Sequence, residues 1–109
     1  MVITALRVKS SEHGVSMKTA NANDLKTWKI TYNPYTDLFQ IYEERVFHMP
    51  DSEIASKSKG VAKLLYDKKT HSPLLIEFSN AYEHLGDIDN MSKESIIQGV
   101  IGYVRSHGR

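Results

Sequence analysis

Trp28-Lys29-Ile30-Thr31-Tyr32, then Asn33-Pro34-Tyr35-Thr36-Asp37, then Leu38-Phe39-Gln40-Ile41-Tyr42-Glu43, is the stretch on which the fold turns. Trp28, Ile30 and Tyr32 alternate with Lys29, Thr31 and Asn33, the period of a strand with one buried face. Asn33 to Asp37 supplies turn chemistry: proline sets φ, and the flanking Asn and Asp side chains can bond nearby backbone. Leu38 to Glu43 is again strand-like, rich in aromatic and β-branched residues, with Phe39 and Ile41 on one face and Leu38, Gln40 and Tyr42 on the other. The stretch therefore reads as an antiparallel hairpin.

Toward the C-terminus, Arg45 to Phe47 reads as an extension of the second strand or a short strand of its own, until Pro50 removes a backbone donor. Asp51 to Lys59 is polar and is expected to cross an end of the sheet. Gly60 opens a third strand, Val61 to Asp67, with Ala62, Leu64 and Tyr66 facing one way. Lys68 to Ser72 has the length of a hairpin connection, and Pro73 starts a fourth strand, Leu74 to Phe78. Its Leu74, Ile76 and Phe78 are expected to face the core, with Leu75 and Glu77 on the opposite surface. Asn80 to Leu85 reads as one helical turn closed by Gly86. Ser92 is a good N-cap for a helix from Lys93 to Ser106, in which Ile96, Ile97, Val100, Ile101 and Val104 form one apolar stripe. Gly99 and Gly102 weaken that helix or admit a close neighbour.

The prediction is an α+β fold: an antiparallel sheet of about four strands, arranged as two hairpins and packed with a C-terminal amphipathic helix. Residues 1–109 are expected to form a single domain, a size that buries one modest core. Val2 to Val8 reads as a short strand, and residues 10–26 as a loosely ordered lead-in. Because Met17 lies inside that lead-in, translation from Met1 or from Met17 would leave the same core.

The chain is 40% hydrophobic and 25% charged, and its 14 basic and 13 acidic residues leave a net charge of +1. That balance provides no field to attract a polyanion. The absence of cysteine excludes disulfides, cysteine-ligated zinc, iron–sulfur clusters and thiol nucleophiles. The apolar run at Val2 to Leu6 is cut by Arg7 and Lys9, too short for a signal peptide or a membrane span. A cytoplasmic protein without membrane attachment is expected.

His13, His48, His71, His84 and His107 show no metal-ligand spacing, and no phosphate loop, nucleophile elbow or zinc motif is present. No cofactor or metal is predicted. Glu77, between Ile76 and Phe78, is a candidate general base if buried; the period-two pattern instead points it outward, toward Lys63 across the hairpin. Glu83 and His84 are adjacent and point in different directions on a helix. Lys57, Lys59, Lys63, Lys68, Lys69, Arg105 and Arg109 together suggest a basic surface for nucleic acid, or simply solubility and edge protection. Leu38, Tyr42, Leu65 and Leu75 make an outer apolar set that one C-terminal helix cannot also cover. A protein partner or a two-fold dimer is expected to bury it, or else the N-terminal strand and lead-in fold over it.

Lys29 to Pro34 and Thr36 to Tyr42 resemble the opening hairpin of the bacterial domain of unknown function 2283, in which a tyrosine, an acidic residue and a proline precede a strand. Gly60-Val61 leading to Leu65-Tyr66-Asp67, and Leu75-Ile76-Glu77-Phe78-Ser79-Asn80-Ala81, resemble that family's second hairpin. The likeness spans Trp28 to Leu85. Asn33 stands where an aspartate is common, the segment from Glu44 to Lys59 is long, and the tail after Gly86 is outside the pattern. The resemblance implies a β-rich fold and, since some members look like companions of toxin-like genes, an antitoxin-like or partner-binding role.

The leading functional expectation is thus a non-enzymatic protein-binding or dimerisation module, through an apolar sheet face or an open strand edge. The alternatives are a nucleic-acid-binding regulator and a small hydrolase or isomerase using Glu77 and His84.

Overall fold

The computed structural model describes residues 25–107. The strand read at Val2 to Val8, the lead-in before Leu25, Met17, His13 and Arg109 lie outside them. The fold is α+β: a five-stranded antiparallel sheet and a C-terminal helix. The strands are β1 (Lys29–Asn33), β2 (Leu38–Tyr42), β3 (Ile54–Lys59), β4 (Ala62–Asp67) and β5 (Pro73–Phe78), in the spatial order β1-β2-β5-β4-β3. Two helices follow, α1 (Ala81–Leu85) and α2 (Lys93–Ser106).

The first hairpin forms as the alternation predicts, with Thr31 opposite Gln40 and Asn33 opposite Leu38. Its turn is held by the Asn33 carboxamide oxygen, which accepts from the Tyr35 and Thr36 amides at 2.9 and 3.4 Å. The second hairpin, β4–β5, likewise turns on a side chain: Asp67 Oδ1 accepts from the Lys69 and Thr70 amides at 2.8 and 3.3 Å. β5 lies at the centre, pairing with β2 on one side and β4 on the other.

Two sequence expectations are corrected in the segment between the hairpins. Glu44–His48 is a 3-10 helix, not a strand, and Ile54–Lys59 is a fifth strand rather than a crossing loop. β3 escapes a hydrophobicity reading because an edge strand has one neighbour and need bury little; Ser56, Lys57 and Ser58 are exposed. Backbone pairing to β4, from Ile54 opposite Asp67 to Lys59 opposite Ala62, is what makes it a strand.

The main core lies between one sheet face and α2. Phe39, Ile41, Ala62, Leu64, Ile76 and Phe78 meet Ile96, Ile97, Val100, Ile101 and Val104, and Leu25, Trp28, Ala81, Leu85 and Ile88 close the ends. α2 starts where capping chemistry predicts: Ser92 Oγ accepts from the Ser95 amide at 3.1 Å. An added Cβ at Gly102 would meet nothing within 4 Å, and one at Gly99 would make ordinary contact with Leu85 at 3.5 Å. Neither glycine is required by a close neighbour.

A second, smaller cluster joins Val46, Leu74 and Leu75, with Tyr42, Met49, Ile54 and Leu65 packed against it. Leu74, expected in the main core, belongs here instead. The register shift between Leu65 and Tyr66 is the local departure from simple alternation in this part of the sheet.

Candidate protein-binding surface

The outer sheet face is built from two rows read off the register. Thr31, Gln40, Glu77, Lys63 and Ser58 form a polar row running across all five strands. Lys29, Tyr42, Leu75, Leu65 and Ser56 form the next row, apolar at its centre. The segment from Glu44 to Glu53 lies against this second row as a strap, burying Val46. It is tied at both ends, by the Glu43 amide to the Leu74 carbonyl at 2.8 Å and by the Lys68 amide to the Glu53 carbonyl at 3.0 Å. Arg45 adds ion pairs to Glu43 and, at 3.7 Å, to Asp67.

Of the four residues expected at an interface, Leu75 is only 5% exposed, and Tyr42 and Leu65 are half-buried against the strap. Leu38 is half-buried in neither cluster. Part of the cover expected from a partner or from the N-terminal lead-in is thus supplied by a described segment of the chain itself. The chain covers three of the four with residues 44–54, a segment whose one deeply buried side chain, Val46, offers no periodic signal. The strap leaves Phe47 62% exposed, its ring edge-on to Tyr42 at 5.0 Å.

Glu77 lies on the outer face, half-buried opposite Lys63, and its Oε1 accepts from Gln40 Nε2 at 2.8 Å. His84 lies on the other side of the sheet, its ring 5.2 Å from that of Tyr103 on α2, which in turn touches Phe78. Glu77 and His84 are thus separated by β5, and the pairing required by the hydrolase or isomerase reading is not formed. A depression of about 220 Å³ lined by Lys26, Lys93, Glu94 and Ile97 includes neither of them.

Among the described residues no group of three or more His, Asp or Glu side chains is placed to hold a metal. His48 is on the strap, His71 occupies the β4–β5 turn at φ 63°, and His107 stacks on Tyr103 at 4.0 Å. The basic residues are dispersed. Lys57 and Lys59 share the helix-facing side of β3 with Leu64 and Ala62, Lys63 is on the outer face, and Lys68 and Lys69 sit in the turn beyond β4. Among the described residues these lysines are thus spread over both faces of the sheet and a turn.

Two polar ties that the sequence did not reveal hold the site's frame. Asp37 adopts φ 57° and accepts through its carboxylate from Tyr32 Oη at 2.7 Å and from the Tyr82 amide at 3.0 Å. Its carbonyl accepts from the Ala81 amide at 3.1 Å. A residue of the first hairpin turn thereby caps a helix that starts more than forty residues later, where Asn80 provides no side-chain cap. The Tyr32 hydroxyl is pushed up to about 12, first by its hydrogen bond to Asp37, then by burial and the charges of Asp37, Asp89 and Asp87. The second tie is Tyr103, whose hydroxyl accepts from the Val61 amide at 3.0 Å beside Gly60. The polar contacts of Tyr32, Asp37, Val61 and Ala81 thus serve to join elements of the fold.

The two sheet edges differ. β3 carries Lys57 and Lys59, and Lys59 points inward at 7% exposure. Such inward and flanking charges are a common protection against edge pairing. β1 is Lys-Ile-Thr-Tyr-Asn, with β2 as its sole neighbour among the described residues. It has no proline, a regular register and one lysine at its first position. Its approach is fixed by Lys93 Nζ, which donates to the carbonyls of Lys26 and Trp28, each at 2.7 Å. No family model, curated protein or solved structure matches the chain.

Proposed function

We propose that this protein is a non-enzymatic protein-binding module that adds an extended partner segment to its sheet at β1. Edge addition gives affinity through main-chain hydrogen bonds and selectivity through alternate side chains. The observation that carries this reading is the contrast between the two edges: lysines guard β3, whereas β1 is regular, proline-free and anchored at its start. With the apolar half of the outer face already covered by the strap, the β1 edge, which has no second neighbour among the described residues, is the better-supported surface. An antitoxin-like role, implied by the family resemblance, would use the same mode.

Selection of displayed ten-residue peptides against the full chain tests this. Binders are expected to alternate β-branched and polar residues and to shift the amide resonances of Lys29 to Asn33, leaving those of β3 in place. Binders that shift β3 or α2 instead, or a selection yielding none against a chain that light scattering shows to be monomeric, would overturn it.

A further inference from the structure

We propose that the segment β1 receives is β1 of a second copy of this chain, paired antiparallel about a two-fold axis at Thr31. This rests on the reading of β1 as the binding edge and names its partner. An isologous contact requires a strand that complements itself when reversed, and Lys-Ile-Thr-Tyr-Asn does so. With Thr31 on the axis, all five residues pair: Thr31 faces Thr31, Ile30 faces Tyr32, and Lys29 faces Asn33.

The faces agree as well. Ile30 and Tyr32 are half-buried and pack against the main core on the helix side, while Lys29, Thr31 and Asn33 are exposed on the other. Opposed residues in an antiparallel ladder share a face, so the Thr31 register places the apolar pair beside apolar pair. Both α2 layers then lie on the same side of one continuous sheet, to which each copy contributes its five described strands. A slip by one residue would set Ile30 against Thr31 and the helix layers on opposite sides. Charge also favours self-pairing. The two Lys29 side chains lie at opposite ends of the ribbon, each against an uncharged Asn33 and each with Glu44 of its own chain 3.8 Å away. β3, by contrast, carries two lysines in six residues, Lys57 and Lys59.

The cysteine-free chain makes the register directly testable. Opposed residues have Cα atoms about 4.5 to 5.5 Å apart, inside the disulfide window of about 4.4 to 6.8 Å. Thr31→Cys in the full chain, under mild oxidation at micromolar concentration, is expected to convert to a linked dimer, while Ser58→Cys on β3 stays monomeric. Lys29→Cys and Asn33→Cys are expected to remain unlinked alone and to link when mixed, which keeps the test valid should Thr31→Cys fold poorly. Light scattering of the unmodified chain is expected to approach twice the 12.4 kDa chain mass. Equal linking of Thr31→Cys and Ser58→Cys overturns the proposal, as does a dimer that none of the β1 cysteines trap. A monomer whose β1 amides exchange slowly also overturns it, by showing the edge occupied from within the same chain. If β1 binds selected peptides but the chain stays monomeric, self-pairing falls while the module reading stands.

Discussion

Asp37 shows what one side chain contributes here. Its carboxylate holds a tyrosine hydroxyl and a helix-start amide at once, so Asp37→Ala removes both acceptors. It is expected to cost about 1–3 kcal/mol in urea unfolding, in the range for hydrogen bonds to a charged group. Asp37→Asn should recover part of this, retaining one oxygen acceptor. Tyr32 gives the pH signature: its folded value of about 12 exceeds the ordinary 10.0, so the folded state holds a proton the unfolded chain releases first. Its contribution to stability is full below pH 10 and is lost as pH rises toward 12. Ultraviolet titration should show one late-titrating tyrosine, and Tyr32→Phe should abolish both that step and the alkaline loss. At Gly60, φ is 60° and an added Cβ would stand 2.2 Å from Tyr103 Oη. Gly60→Ala should therefore destabilise by about 1–3 kcal/mol, through backbone strain and displacement of the hydroxyl from the Val61 amide.

Among the elements, α2 was the most legible. Its cap, stripe and length follow from Ser92 and from apolar residues at three- and four-residue steps, and all five stripe residues are buried. Gly102 meets no neighbour, so Gly102→Ala should raise stability by about 1 kcal/mol, seen as a higher melting temperature. The strap was not legible, because one buried valine in a five-residue 3-10 helix makes no pattern. Val46→Ala should cost about 2 kcal/mol, the scale for burying such a side chain, and should expose Leu75. Increased binding of a hydrophobic dye would report that exposure. β3 was hidden for the complementary reason: Ile-Ala-Ser-Lys-Ser-Lys is a strand by pairing to β4, and pairing is not a property of its own side chains.

For the whole molecule, the strand order concentrates stability at the centre. β5 is paired on both sides and buries Leu74, Leu75, Ile76 and Phe78. Its amides are expected to exchange most slowly, near the global unfolding limit, and those of β3 much faster. Faster exchange in β5 than in β3 would contradict this arrangement. The candidate surface divides along the same lines. The apolar outer residues could be named from alternation alone, but their cover could not, since the strap reaches them from the neighbouring connection. The separation of Glu77 from His84 likewise depends on which side of β5 each one falls, with Tyr103 drawing His84 to the helix layer.

By itself the sequence determined the α+β class, both hairpins with their turns, and the capped helix, because each rests on local chemistry: side-chain period, φ preference and nearby hydrogen bonds. Tertiary structure alone decided that β5 lies at the centre and β1 and β3 at the edges of the described strands, that Asp37 caps α1, and that residues 44–54 shield Leu75. Those outcomes join segments distant in the chain, and the energy that selects them exists only once both partners are brought together.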